Sequence, residues 1–316
     1  MKSTKLKGVL LVALMAALIL PCSTGAGTKR NTGKKPLSIV ASIAPVADFI
    51  RQVGGERVEI TLLLPPGADP HTFEPTPKLQ FALAKAGIFI KIGGGIELWA
   101  DRIVAGAGKK SLKTVSLIEG LKLIPYNREK QRYKPYSGDN HITNLREGRG
   151  DPHVWLDPII VVSMVKRIAE AMSDMDPAGA PQYFKRAKAY AEELWRLDEE
   201  IKARVSKFST RDFITFHNSW NYFARRYGLH LAGVIEEAPG REPGPRKLAE
   251  IIRKIKDLKT KVLFAEPQLS QRIARAVAAE SGARILILDP LGGLPGRGSY
   301  LEMMRYNISI MEKGMR

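Results

Sequence analysis

Three histidines and one aspartate stand where short apolar runs end: His71 in PPGADPHTFEPTP, His153 in GRGDPHVWLDP, His217 in FITFHNSW and Asp289 in ILILDPLGG. No two are near enough in sequence to share a helix face, so only a fold could bring them together. Three imidazoles and a carboxylate form a closed tetrahedral set for a borderline-soft divalent cation, zinc first among them. Four protein ligands leave no open position for a substrate or an activated water, so such a site carries a metal rather than using it in catalysis. Taken singly, each residue has a plainer reading. A histidine after a strand is often a hydrogen-bonded loop residue, Asp-Pro is a common turn-forming pair, and Asp289 could simply cap the segment after it. The joint pattern is what favours a metal. The other two histidines lack that context: His141 lies in a charged loop, as a surface residue or a weak auxiliary contact, and His230 reads as structural at a strand start.

The elements that must position these residues alternate between strand and helix patterns. Strands are expected at Leu37–Ile43, Val58–Leu64, Ile88–Ile92 and Lys113–Leu117, with helices at Pro45–Val53, Pro77–Ala86 and Gly94–Ala105 between them. A helix follows from Pro158 to Ser173, and Asp176-Pro177 opens the longest helical run, to about Phe208. In that run Tyr183, Ala187, Tyr190, Leu194, Leu197, Ile201 and Val205 recur at three and four, one apolar stripe against a charged face. At close to thirty residues it would span about 45 Å and so bridge two lobes. Strands at Phe213–Phe216, Leu231–Ile235, Val262–Ala265 and Ile285–Leu288 then alternate with helices at Trp220–Tyr227, Arg246–Leu258 and Ser270–Ser281, before a last helix from Ser299. Strands separated by helices of this length imply parallel sheets covered on both faces. The expected class is therefore α/β: an N-terminal lobe over 37–175, a linking helix over 176–208 and a C-terminal lobe over 209–316. Ligands bind outside the carboxyl ends of such strands, where His71, His217 and Asp289 fall, and His153 precedes the helix leading out of the first lobe.

Composition narrows the classes. The chain has 316 residues, 44% of them apolar, enough for a sizeable core and more in keeping with two domains than one. Its one cysteine, Cys22, lies in the leader, which excludes a disulfide, a thiolate ligand or a cysteine nucleophile in the folded part. A formal charge of +18 could suggest nucleic acid. The cations are spread along the chain with no nucleic-acid signature, however, so a solvated basic surface is the reading taken. Lys2, Lys5 and Lys7 precede an apolar run from Gly8 to Leu20 that is too short to span a bilayer, the pattern of a secretory signal over 1–26. Ile19-Leu20-Pro21-Cys22 resembles a lipobox, making Cys22 a candidate lipid anchor in competition with ordinary cleavage after Ser23–Ala26. Residues 27–36 read as a flexible tether, and the polar stretch 127–150 as an exposed loop.

From about Leu37 onward the chain resembles the extracytoplasmic solute-binding proteins of metal-uptake ABC transporters, the zinc and manganese group. The resemblance rests on SIVASIAPVADFIRQVGG, LLLPPGADPHTFEPTP, DPHVWLDP, FITFHNSWNYFARRYGL, LFAEPQLS and ILILDPLGG. It implies two lobes on one rigid linking helix, metal held between them by His71, His153, His217 and Asp289, and delivery by a monomer to a permease with its ATPase. The manganese branch tends to place glutamate at the third ligand position, so the histidine of FHNSW favours zinc over manganese or iron. Two features depart from the family pattern: loop 127–150 is basic and holds only His141, where zinc members often carry a histidine-rich loop, and no disulfide can form. Asp69, Asp151, Glu74 and Glu236 are candidates for orienting the rings. An exported zinc hydrolase, with the three histidines as ligands and Glu266 as general base, is the alternative of another class. It lacks HExxH or any comparable spacing.

Overall fold

Runs of β-branched and aromatic residues set the sheets, and proline or glycine follows most of the runs within a few residues. The computed structural model describes residues 35–125, 150–236, 240, 243–258 and 262–316. The segment expected as a signal, with Cys22, nearly all of the expected tether, and His141 with most of stretch 127–150 lie outside those residues. Strands β1 (Leu37–Ala41), β2 (Val58–Leu62), β3 (Ile88–Lys91) and β4 (Lys113–Ser116) form one sheet in the order β2-β1-β3-β4. Strands β5 (Asp212–His217), β6 (His230–Glu236), β7 (Val262–Ala265) and β8 (Arg284–Ile287) form a second in the order β6-β5-β7-β8. Every pairing is parallel, and the second sheet repeats the order of the first.

Helices α1 (Ala44–Gly54), α2 (Pro77–Lys85) and α3 (Ala100–Gly106) belong to the first sheet, and α6 (Asn221–Tyr227), α7 (Pro245–Asp257), α8 (Gln271–Ser281) and α9 (Tyr300–Met315) to the second. Between them run α4 (Pro158–Met175) and α5 (Ala180–Val205). Among the described residues no helix is long and apolar enough to cross a membrane.

Helix α5 has 26 residues, about 39 Å, somewhat shorter than its sequence pattern suggests. Asp176 caps α4 instead, and Pro177–Gly179 forms a separate 3₁₀ turn before α5 starts. The stripe read from the sequence is the buried one: Tyr183, Ala187, Tyr190, Leu194, Leu197, Ile201 and Val205 all face the core. That face packs on α1 and α4 on one side and on α6 and α9 on the other, so a single apolar core runs past both sheets. Each large side chain buried there contributes roughly 1.5–3 kcal/mol.

Ion pairs fix the helices laterally. Arg226 of α6 donates from Nε and Nη2 to the two oxygens of Asp198 on α5, at 2.9 and 2.7 Å. Burial would raise the Asp198 carboxyl, but Arg226 and Lys202 outweigh it and hold it below the usual range. Asp48 of α1 accepts the Tyr300 amide at 2.9 Å and so pins the start of α9.

One expected helix is absent over its first half. Residues 94–99 form a turn, and α3 starts only at Ala100. Gly93, Gly94 and Gly95 have φ of +91, +67 and +88°, a left-handed backbone that glycine adopts without strain, and a Cβ at Gly93 would collide with Ser116. The turn folds around the carboxylate of Glu97, which accepts the Ile92 amide, the Gly93 amide and the Ser42 hydroxyl at 2.9, 3.0 and 2.6 Å. Burial nevertheless pushes this carboxyl up from its ordinary value.

Candidate metal centre

The loop after β2 carries His71. Asp69 shapes it by accepting the His71 amide through Oδ1 and the Thr72 hydroxyl through Oδ2, both at 3.0 Å. Trp99, at the base of the glycine turn, donates its indole N–H to Pro70 O at 2.8 Å and holds the loop from below. His153 precedes the 3₁₀ turn Val154–Leu156 that leads into α4. Its Nδ1 lies 2.6 Å from Asp151 Oδ1, which also accepts the His153 amide at 2.9 Å. Asp151 is held in turn by α6: Asn221 donates to its Oδ2 at 2.9 Å and the Tyr222 hydroxyl to its backbone O at 2.8 Å. His217 is the last residue of β5, with Nδ1 facing Glu266 Oε2 at 3.4 Å. Glu266 follows β7 and takes the Ser219 hydroxyl and the Trp220 indole N–H on its other oxygen, at 2.8 and 3.2 Å.

The three rings meet. Each of the three offers one ring nitrogen to a group whose members all lie within 4.8 Å of one another. His71 Nε2 and His153 Nε2 are 3.3 Å apart. Zinc–imidazole bonds of about 2.0–2.1 Å in a tetrahedron put neighbouring nitrogens about 3.4 Å apart, so this edge already has the right length. Two of the rings turn Nδ1 to a carboxylate, which leaves Nε2 free of a proton for a cation, the arrangement that orients metal-binding imidazoles. Gln268, Leu269, Pro290 and Leu291 close the cavity from the second sheet, and Pro70, Ile96 and Trp155 from the first. The Trp155 indole N–H donates to Pro290 O at 2.7 Å, a direct tie across the two walls.

The electrostatics of the rings differ. Burial, then the neighbouring His217 and His153, push His71 well below its ordinary pKa. Burial acts downward on His217 too, but Glu266, Asp69 and Glu236 outweigh it and leave this imidazole raised.

Asp289 does not join the three histidines. It is fully buried just outside the cavity lining, with Oδ1 accepting the Leu291 and Gly292 amides at 3.1 and 3.0 Å and the Gln268 amide at 2.9 Å. Arg297 Nη1 faces its Oδ2 at 3.0 Å. In this arrangement Asp289 caps its own turn and pairs with Arg297, apart from the histidine group.

Of the ring-orienting candidates, Asp151 contacts a ring directly, and Asp69 acts on its own loop. Exposed Glu74 is not among the residues lining the cavity, and Glu236 pairs in register with His217 on the neighbouring strand. Glu266, considered as a general base, is the partner of His217. Its lone pairs are engaged by Ser219, Trp220 and that ring. The two tryptophans that brace the histidine loops carry no local sequence signal beyond their size.

Residues 39–314 match the model of the ZnuA family, described as zinc-uptake complex component A, periplasmic. The zinc-binding lipoprotein AdcA of Streptococcus pneumoniae serotype 4 is 29% identical over 308 residues, which cover 98% of this chain and 59% of AdcA. The chain thus spans about three fifths of that relative. The high-affinity zinc uptake system protein ZnuA of Bacillus subtilis is 27% identical over 319 residues, 98% of each chain. A crystal structure of ZnuA superposes with a TM-score of 0.77 at 29% identity, over 89% of this chain and 99% of that one.

Proposed function

Since the chain belongs to the family of the periplasmic A component of zinc-uptake complexes, we propose that it captures zinc outside the cytoplasmic membrane and hands it to an ABC-type permease driven by its ATPase. The observation that carries this reading is the convergence of His71, His153 and His217 on one point, with a tetrahedral edge between the first two. Imidazole donors suit zinc above manganese, which prefers carboxylate and water oxygens. In this reading His71, His153 and His217 supply three ligands, and Asp289, next in sequence to Pro290 of the cavity wall, would supply the fourth once Arg297 leaves its Oδ2.

The reading is of a carrier without catalysis. A hydrolase needs a free general base within reach of a metal-bound water. Glu266 is instead committed to Ser219, Trp220 and His217. The N-terminal leader accounts for export, with Cys22 as the residue that would take a lipid.

The test is a thermal melt of metal-stripped protein with zinc or manganese, beside His153→Ala and Asp289→Ala. A ligand present at a thousand times its dissociation constant adds about 4 kcal/mol of stability. A large zinc shift, a smaller manganese shift and their loss in His153→Ala support the assignment. A zinc shift that His153→Ala retains in full would remove it.

A further inference from the structure

Asp289 is built to face a cation. Its backbone is fixed on both sides by Asn307, which accepts the Asp289 amide and donates to its carbonyl, each at 2.7 Å. Oδ1 is saturated by three N–H donors, so the carboxylate cannot rotate without breaking all three. Gly292, at φ +66°, allows the tight turn that brings its amide there. Oδ2 is different. It is buried and has no hydrogen-bond donor among the described residues. Arg297 Nη1 stands 3.0 Å away but off the hydrogen-bonding direction, and is itself a buried donor without an acceptor. Oδ2 thus depends on Arg297 for its countercharge alone, whereas Oδ1 is fully hydrogen-bonded.

Arg297 is held from the other side. Its guanidinium lies over the Tyr306 ring at 4.4 Å from the centroid, and Tyr306 is anchored by its hydroxyl on Ile287 O at 3.1 Å. The Arg297 side chain keeps 17% of its surface exposed, against none for Asp289, so water is available on its outer edge. Gln268, the donor to Asp289 Oδ1, and Pro290 and Leu291, the two residues after it, all line the histidine cavity.

We propose that Arg297 is an affinity-setting residue: it occupies the cation's place at Asp289 Oδ2 and competes with zinc for that carboxylate. This rests on the zinc-carrier reading above. With Arg297 engaged, the metal meets three imidazoles, and the Asp289 charge is already neutralised by the guanidinium. With Arg297 displaced onto Tyr306 and solvent, the same metal gains a carboxylate already held in position by Asn307 and the turn amides. The residue therefore tunes release as well as capture, since its return to Asp289 favours metal departure.

The test is a double-mutant cycle on the mature chain, with zinc dissociation constants from competition against a fluorescent chelator. Arg297→Met is expected to tighten zinc about tenfold or more in the wild-type background. The gain should shrink to less than about threefold when Asp289 is already Asn, because the competition is then gone. Arg297→Met also leaves Asp289 without a countercharge, so its metal-free melting temperature should fall and zinc should restore it. Should that variant not fold, Arg297→Lys decides: it keeps the charge but loses the planar stacking on Tyr306, and it should tighten zinc by a smaller factor. An unchanged or weaker zinc affinity on replacing Arg297, or an equal gain in both backgrounds, overturns the proposal. His217→Ala is measured alongside. If it too leaves zinc binding intact, the carrier reading has failed; if it abolishes binding while Arg297 is inert, only the present inference has.

Discussion

The carboxylate behind His153 offers the sharpest test of how the site is held. Asp151 is 1% exposed, and its oxygens engage His153 Nδ1 at 2.6 Å, the His153 amide at 2.9 Å and Asn221 at 2.9 Å. Partners of this kind fix the tautomer and raise the basicity of the ligand nitrogen, and losing one costs about 10–100-fold in metal affinity. At 1.4 kcal/mol per tenfold, that is about 1.4–2.8 kcal/mol. Asp151→Asn retains an oxygen able to accept from the ring and from the backbone, so it should lose the charge alone and fall near tenfold. Asp151→Ala removes the acceptor as well and should fall near a hundredfold. It also leaves buried donors unpaired, which costs about 1–3 kcal/mol of stability, so a metal-free melt must accompany each variant. Competition with a zinc-selective fluorescent chelator measures both affinities. If both variants stay within threefold of wild type, or Asn loosens zinc more than Ala, the orienting role of Asp151 is wrong.

Two further outcomes follow from the same geometry. A protonated imidazole cannot bind zinc, and His217 holds its proton to higher pH than an ordinary histidine, so affinity should start to fall at a higher pH than three ordinary imidazoles would give. Glu266→Gln removes the main group that raises His217, so the onset of the fall should move to lower pH; chelator competition between pH 5 and 8 reads both curves, and coincident curves would contradict the cause given for the raised ring. In α5, fully buried Leu194 and half-exposed Trp195 are sequence neighbours, the first in the buried stripe and the second outside it. Leu194→Ala should cost about 2–5 kcal/mol in denaturant unfolding and Trp195→Ala under about 1 kcal/mol, and equal costs would mean that the helix does not present the stripe as described.

The parts of this fold legible from sequence are those written in periodicity. The stripe from Tyr183 to Val205 recurs at helical spacing, so its buried face could be read directly, and the second-sheet strands ended within a residue or two of their expected limits because proline, glycine or charged residues bound them. His71, in the loop after β2, and His217, at the end of β5, could be placed because parallel topology puts such positions at the carboxyl edge of a sheet, whereas His153 is set by the turn into α4. What stayed illegible depends on partners far along the chain. Asp289 meets Arg297 across a glycine turn, and nothing in ILILDPLGG tells a ligand carboxylate from one that caps its own loop. Glu266 lies 49 residues from His217, a separation at which only the β5–β7 pairing reveals the contact. Residues 94–99 carry apolar spacing compatible with a helix, yet consecutive glycines and the demands of buried Glu97 turn them into a loop. In each instance a contact between residues distant from the local pattern decided the outcome.

The most direct test of the central claim is zinc-edge X-ray absorption on the stoichiometric zinc complex of the mature chain. Three imidazoles with nitrogen at about 2.0–2.1 Å, one oxygen neighbour and no sulfur are expected, with the imidazole count falling by one in His153→Ala. A shell with fewer than two imidazoles, or one unchanged in His153→Ala, would show that zinc binds elsewhere and that the convergence of His71, His153 and His217 is not its site.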